Sequence, residues 1–389
     1  MNPPRSPLTR SAKLVGGLLC ACLLAAAGLL AQPTRASTAT RAVTVSSAVS
    51  TAAPQLQVSG RGLFSAQGRR VVLHGVNRAG GEYACVEGGG IWDGPMNSVT
   101  AMKSWHVNAV RVPLNEACWN GESYVQAQYR GPSYRKAVEA YVQLLNRNGI
   151  VAILDLHWTD GRYTGPHAHC PDTAEAMCQK PMPDAAQAIP FWKSMARTFK
   201  GNNAVIFDVF NEAFPERTAG GSEAEGWRCW LRGGSFCAGL GYQAAGMQSL
   251  VTAIRSTGAR NVILLGGLRY ADDLTGWLRH VPRDPDHNLA ASWHLYPWNL
   301  CNVQSCWNRQ VAPVIAKVPV VVDEFGVATC SAAFINPLMR WLDARSTGYL
   351  AWAWNAGFDC ATGPSLITSY NGSPTAYGAG YQSHLRSLK

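Results

Sequence analysis

The chain contains no Gly-x-Ser-x-Gly, no Cys-x-x-Cys and no cluster of five or more basic residues. The first absence removes the nucleophile elbow of an α/β esterase. The second weakens a zinc reading of His167-Ala168-His169-Cys170, where ligand-type side chains sit together, so no metal is expected. The third removes the basic stripe that nucleic acid requires, despite a formal net charge of +10. Part of that charge lies ahead of the folded region, at Arg5, Arg10, Lys13 and Arg35 among others. A phosphate-cradling glycine loop is missing as well. Gly88-Gly89-Gly90 follows no strand and opens no clear helix, which counts against a doubly wound open sheet. No second cysteine- and tryptophan-rich module accompanies the main domain, so a separate binding module is not expected.

What is present begins with a leader. Arg5, Arg10 and Lys13 precede an unbroken apolar stretch, Leu14 to Ala31, and small and polar residues follow. That is the layout of a secretory signal peptide, here 1–36, with cleavage expected between Ala31 and Ala42. The stretch is also long enough to act as an uncleaved anchor. Cleavage leaves an extracellular protein with no stable membrane association. Residues 37–55 are dense in Ser, Thr, Ala and Val without amphipathic period and read as a disordered linker. Residues 56–389 form one domain with ample apolar content for a core, expected to be a monomer. Cys20 and Cys22 leave with the leader, and ten cysteines remain. An even count in an exported chain points to disulfides. Pairing neighbours is the most economical scheme: Cys85–Cys118, Cys170–Cys178, Cys229–Cys237, Cys301–Cys306 and Cys330–Cys360.

Short apolar runs recur along the domain, at 71–77, 107–114, 150–158, 204–212, 262–267, 289–296, 318–326 and 348–356. Each is rich in β-branched and aromatic residues and too short for a helix, as buried parallel strands are. Helix-compatible segments separate them, for example Tyr134 to Asn148 and Tyr242 to Ser256, and a last helix is expected near Tyr381 to Lys389. Eight strand–helix repeats predict an α/β fold of the (β/α)₈ TIM-barrel type.

A barrel of this type carries its site at the C-terminal ends of its strands. Polar residues collect there: Asn77, Arg111, His157, Asn211-Glu212, His294, Tyr296, Glu324 and Asn355. Burying them unpaired would cost roughly 2–7 kcal/mol each, so a purely structural rim gains nothing from them. Glu212 and Glu324 end the fourth and seventh runs, on opposite sides of the ring. Two carboxyls facing each other across a barrel mouth suit glycosidic bond cleavage, one as acid/base and one as nucleophile. Arg111 and Tyr296 are expected to hold Glu324 ionised. Asn211 is a donor for a sugar 2-hydroxyl, and His157 and His294 orient hydroxyls or a glutamate. Trp354 offers a flat face to a sugar ring, although Trp352, two residues away, competes for that place. Trp92, Trp119, Trp158 and Trp298 are further stacking candidates. Asp155 and Asp208, inside apolar runs, are assigned to structure.

The set VRVPL, LDLHW, FDVFNE, WHLY, VDEFG and LAWAWN resembles glycoside hydrolase family 5, in order and over nearly the whole domain. The resemblance implies Glu212 as acid/base beside Asn211, Glu324 as nucleophile, and Arg111, His157, His294, Tyr296 and Trp354 as supporting residues. The family usually reads Asn-Glu-Pro at strand four, whereas this chain has Ala213 and then Pro215. The stretch 74–95 is similar to the first βα loop of secreted bacterial cellulase-like members. That implies an endo-β-1,4-glucanase acting on cellulose or a related β-glucan, without cofactor. Relatives also cut mannan, xyloglucan or mixed-linkage glucan. A barrel that binds polysaccharide without cutting it would lack a rim carboxylate, and both are present.

Overall fold

The computed structural model describes residues 52–88, 98–167, 175–218 and 221–388. The leader, the linker as far as residue 51, Trp92, His169 and Cys170 lie outside the described residues. Eight parallel strands close into a barrel in chain order: β1 His74–Asn77, β2 Ala109–Asn115, β3 Val151–Trp158, β4 Val205–Asp208, β5 Ile263–Gly266, β6 Leu289–Leu295, β7 Val320–Phe325 and β8 Gly348–Ala351. Every apolar run of the sequence supplies one strand. The runs overshoot at their ends, most at β8, where the strand stops at Ala351, and at β4, where regular pairing stops at Asp208 and Val209–Glu212 continue as irregular backbone. At β1 the strands approach closely: a Cβ on Gly75 would collide with the Ala109 carbonyl of β2.

Strand alternation sorts the side chains into two layers. Ala109, Val151, Ile153, Ile206, Leu264, Ala290, Val321 and Leu350 point inward and fill the lower barrel. Their neighbours Val110, Val112, Ala152, Leu154, Phe207 and Leu265 point outward and pack under the helices. The helix Pro132–Arg147 shows how the outer layer forms. Pro132 occupies its first turn, and Tyr134, Val138, Tyr141, Val142 and Leu145 make one buried stripe at helical spacing. The expected helix over 242–256 begins later, at Met247. Ala244 and Ala245 instead form bridges with Asp184 and Gly233, and the Tyr242 hydroxyl donates to the Met182 carbonyl at 2.7 Å. The closing helix spans Ala376–Ser387.

An N-terminal antiparallel sheet, Leu56–Ser59, Gly62–Ser65 and Arg70–Val71, is an addition that the sequence reading did not anticipate. Its Leu56 and Leu63, with Ala53, join the same apolar cluster as the lower barrel. The floor is thereby sealed. Most of the abundant tryptophan serves packing. The indoles of Trp192, Trp230 and Trp277 are buried and donate to strand-end carbonyls of Val209, Gly266 and Leu265 at 2.9–3.0 Å.

Among the described residues no helix is long and apolar enough to cross a membrane. Disulfides join Cys85–Cys118, Cys229–Cys237, Cys301–Cys306 and Cys330–Cys360, with sequence separations of 33, 8, 5 and 30. Longer loops lose more chain entropy when closed. Replacing Cys85 and Cys118 with alanine is therefore expected to lower unfolding stability by about 4 kcal/mol, against about 2 kcal/mol for the Cys301–Cys306 pair. Denaturant titration of the two double variants checks the order; equal losses would count against it.

Candidate active site

The same alternation that buries alanine and isoleucine at the barrel floor places polar side chains above them. Arg111 on β2, Asp155 and His157 on β3, Ser292 and His294 on β6 and Asp323 on β7 share the inward face, with Asp208 at the end of β4. Arg111 is fully buried and is the hub. Its Nη2 lies 3.0 Å from Asp155, its Nε 2.9 Å from Asp208 and 3.6 Å from Asp323, and its Nη1 3.0 Å from Glu324 Oε2. It also donates to Asn77 Oδ1 at 3.1 Å and Asn211 Oδ1 at 2.8 Å. Asp155 and Asp208, read as structural, are thus its counter-charges, paired side by side in the β3–β4 register. Burial, then Asp323, pushes the Asp208 carboxyl well above the usual range, against the pull of the Arg111 guanidinium. Burial opposes the charge on Arg111, but Asp155 and the other carboxylates hold its pKa well above the ordinary value.

Asp323 and Glu324 are adjacent in sequence, and strict alternation would turn one of them away from the barrel. The register of β7 is irregular between Val321 and Glu324 against β6, and between Val322 and Phe325 against β8. Both carboxylates therefore reach the same interior. Glu324 Oε2 accepts from Arg111, and Oε1 accepts from the Tyr296 hydroxyl at 2.7 Å. Burial alone would raise its pKa. His294, Arg111, His157 and the Tyr296 hydrogen bond outweigh burial and leave it below the ordinary carboxylate value.

His294 is buried between three carboxylates. Its Nδ1 lies 3.0 Å from Glu212 Oε1 and 3.8 Å from Glu324, and its Nε2 lies 3.5 Å from Asp323. Burial disfavours its charge, yet Glu324, Asp323 and Glu212 drive its pKa well above the imidazole value. Glu212 is the less enclosed glutamate, with its side chain 25% exposed against 8% for Glu324. One oxygen of each glutamate and a ring nitrogen of His294 lie within 4.8 Å of one another. This grouping has metal-like spacing, but both Glu324 oxygens already accept hydrogen bonds from protein donors.

The remaining predicted residues sort into two groups. His157 joins the site: its Nδ1 meets Asp155 at 2.7 Å and its ring stacks on Trp352 at 5.4 Å. Burial lowers its pKa, but Asp155 more than offsets this and raises it. Asn211 is almost fully committed to protein. Its oxygen accepts from Arg111, and one amide hydrogen goes to Gln179 Oε1 at 2.8 Å, leaving one for a ligand. Trp158 is half-buried, meets Tyr83 edge-on at 4.7 Å and lines the cleft, and Trp298 is 63% exposed and stacks on Tyr296 at 4.6 Å. Trp354 and Trp119 do not face the cleft. Trp354 is fully buried edge-on to Trp105, and Trp119 is fully buried against Phe191. Regular pairing of β8 ends at Ala351, so two-residue spacing no longer puts Trp352 and Trp354 on one face, and Trp352 is the ring that lines the cleft.

The sequence reading missed Gln179 altogether. Its Oε1 accepts from Asn211 and from the Glu212 amide at 3.1 Å, and its Nε2 donates to the Glu212 carbonyl. It pins the irregular backbone where Ala213 stands in place of the usual proline. No local pattern marks a glutamine in a long loop for this task. Asp323 had a signal, its place two residues after the inward-facing Val321 in VVVDEFG, whereas the inward turn of Glu324 needs the irregular β7. Three adjoining hollows of about 580, 300 and 230 Å³ share Glu212, Tyr270, Trp352 and Pro364 among their walls and make one open cleft over the two glutamates.

The family model described as cellulase (glycosyl hydrolase family 5) matches residues 66–358. No curated protein matches the chain. Among solved structures, the chain is similar to a β-glucanase of Saccharophagus degradans in complex with cellotetraose, at TM-score 0.65 and 18% identity over 86% of this chain and 94% of that one. It is similar to a β-mannanase of Thermomonospora fusca at TM-score 0.59 and 16% identity, over 84% and 93% of the two chains. A mannanase catalytic domain of Streptomyces sp. SirexAA-E gives TM-score 0.55 and 19% identity, over 86% and 88%. At these identities the likeness is one of fold.

Proposed function

The chain belongs to the cellulase family, glycosyl hydrolase family 5, and from that membership we propose that it is a secreted, retaining endo-β-1,4-glucanase. The observation that carries the stereochemical part is the closeness of Glu212 and Glu324. Oxygens of the two lie within 4.8 Å, whereas an inverting pair needs roughly 6.5–9.5 Å to admit a water between them.

In the proposed reaction Glu324, ionised under Arg111 and Tyr296, attacks the anomeric carbon. Glu212 gives its proton to the departing glycosidic oxygen, and a glycosyl ester forms on Glu324. Glu212, now a carboxylate, takes a proton from water as that water attacks the same carbon, and Glu324 is released. Tyr296 and Arg111 hold the nucleophile at both oxygens, so it meets the sugar without first reorganising. The His294 contact to Oε1 of Glu212, at 3.0 Å, fixes the orientation of that carboxyl in both steps. The protein's two carboxyls and water complete the cycle.

The glucan assignment is supported by an open cleft with exposed Trp298 and half-exposed Trp352 and by the cellotetraose complex of the S. degradans glucanase. Secretion is supported by the four disulfides and by the leader. The test is a panel of carboxymethylcellulose, glucomannan, galactomannan, xyloglucan and mixed-linkage glucan, with products sized over time. The expected result is a rapid fall in chain length on the β-1,4-glucans. Faster cleavage of galactomannan would replace glucanase by mannanase.

A further inference from the structure

The wall of the cleft next to the two glutamates carries two arginines that the proposed reaction does not use. Arg217 and Arg269 line the same hollow as Glu212, Glu324, Trp298 and Trp352. A cleft for an uncharged glucan has no electrostatic need of guanidinium groups. Both are open to solvent, with side chains 39% and 36% exposed. The acids closest to them lie behind: Glu216 is 6% exposed at 3.7 Å from Arg217, and Asp273 is 6% exposed at 3.8 Å from Arg269. Neither pair closes to hydrogen-bond distance, and burial pushes the Glu216 carboxyl up, which weakens it as a counter-charge. Among the described residues neither guanidinium donates a hydrogen bond to a protein acceptor, so the donor forks remain available.

The backbone is built to hold this wall. Arg269, Tyr270 and Ala271 occupy the left-handed region in succession, at φ of 55°, 60° and 59°. For residues with a Cβ that conformation costs about 1–2 kcal/mol each, and it persists only where surrounding structure imposes it. Here the Leu268–Asp273 bridge closes the turn, the Tyr270 amide donates to Ala213 at 3.0 Å, and His294 donates to the Ala271 carbonyl at 3.1 Å. The turn therefore fixes Arg269 relative to the acid/base segment. Tyr270 stacks on Phe214 at 4.6 Å, and the Arg217 guanidinium lies over the Tyr270 ring at 5.0 Å. Arg217 is thereby held against a rigid aromatic pair, which lowers the entropy lost when it binds an anion.

We propose that the cleft takes a β-glycan bearing anionic substituents, carboxylate or sulfate ester, which Arg217 and Arg269 recognise beside the scissile bond. The inference rests on the glycanase reading and narrows its substrate class. Planar guanidinium forks match both anions, and removing such a charge-assisted contact lowers affinity by about tenfold or more.

The experiment compares kcat/KM on hydroxyethylcellulose, carboxymethylcellulose and cellulose sulfate of matched chain length, for the parent and for Arg217→Gln/Arg269→Gln. The expected result is a drop of about tenfold in the anionic-to-neutral ratio of the double variant, carried by KM, and a parental ratio that falls with rising salt. The carboxymethyl and sulfate arms tell which anion is preferred. An unchanged ratio, or equal losses on neutral and anionic substrates, would overturn the proposal. Single variants read by the same ratio serve if the double variant does not fold. Calorimetric binding of cellohexaose and of its C6-carboxylate form to Glu324→Gln separates the two readings. Tight, arginine-dependent binding of the acidic form without cleavage of any glucan sinks the glucanase and keeps the inference. Cleavage without preference does the reverse.

Discussion

Glu324→Ala is expected to lower kcat by about 10⁴-fold or more on every substrate, because it removes the carboxylate held in place to form the glycosyl ester. Both oxygens of this carboxylate are engaged, by Arg111 at 3.0 Å and Tyr296 at 2.7 Å, so its position is fixed before substrate arrives. Truncation opens a space beside the anomeric carbon, and added azide is expected to enter it and yield a glycosyl azide of inverted configuration. The parent enzyme carries a pH signature of the same residue. The nucleophile must be ionised, and its pKa is depressed, so activity is retained above that value and lost as pH falls through it. The acid limb of kcat/KM should therefore lie below the ordinary glutamate value of about 4.3. Substantial activity in Glu324→Ala would make the nucleophile assignment wrong.

Glu212→Ala is expected to cost about 10²–10⁴-fold on glucan, where the leaving oxygen needs a proton. On a dinitrophenyl cellobioside the leaving group departs without help. The first step should then survive, the glycosyl ester should accumulate as a burst, and added azide should speed its release. Equal losses on both substrates would count against the acid/base role. The contrast follows from exposure: Glu212 is open to the cleft where a leaving group and then a water can approach, whereas Glu324 is enclosed by its donors.

The barrel was legible because two simple periods were. Apolar runs of strand length alternating with helical stripes, such as Tyr134, Val138, Tyr141, Val142 and Leu145, leave few other ways to bury both faces of a parallel sheet. The polar residues at the strand ends were legible for the same reason, since a polar side chain ending an apolar run stands out against its neighbours. The N-terminal sheet under the barrel was not legible, because Leu56 and Leu63 find their partners in strands far away in sequence.

The sequence by itself determined that the fold is an eight-stranded barrel and that Arg111, His157, Asn211, Glu212, His294, Tyr296 and Glu324 belong at its rim. Those are local facts, written in run length and in the residue that ends each run. Only the tertiary structure decided how they meet. The irregular β7 turns Asp323 and Glu324 into one interior, Gln179 pins the backbone of Glu212 from another loop, and the end of β8 presents Trp352 while Trp354 stays buried. Each outcome depends on contacts between residues distant in the chain, where pairing register and packing override the two-residue alternation that a strand's own sequence can express.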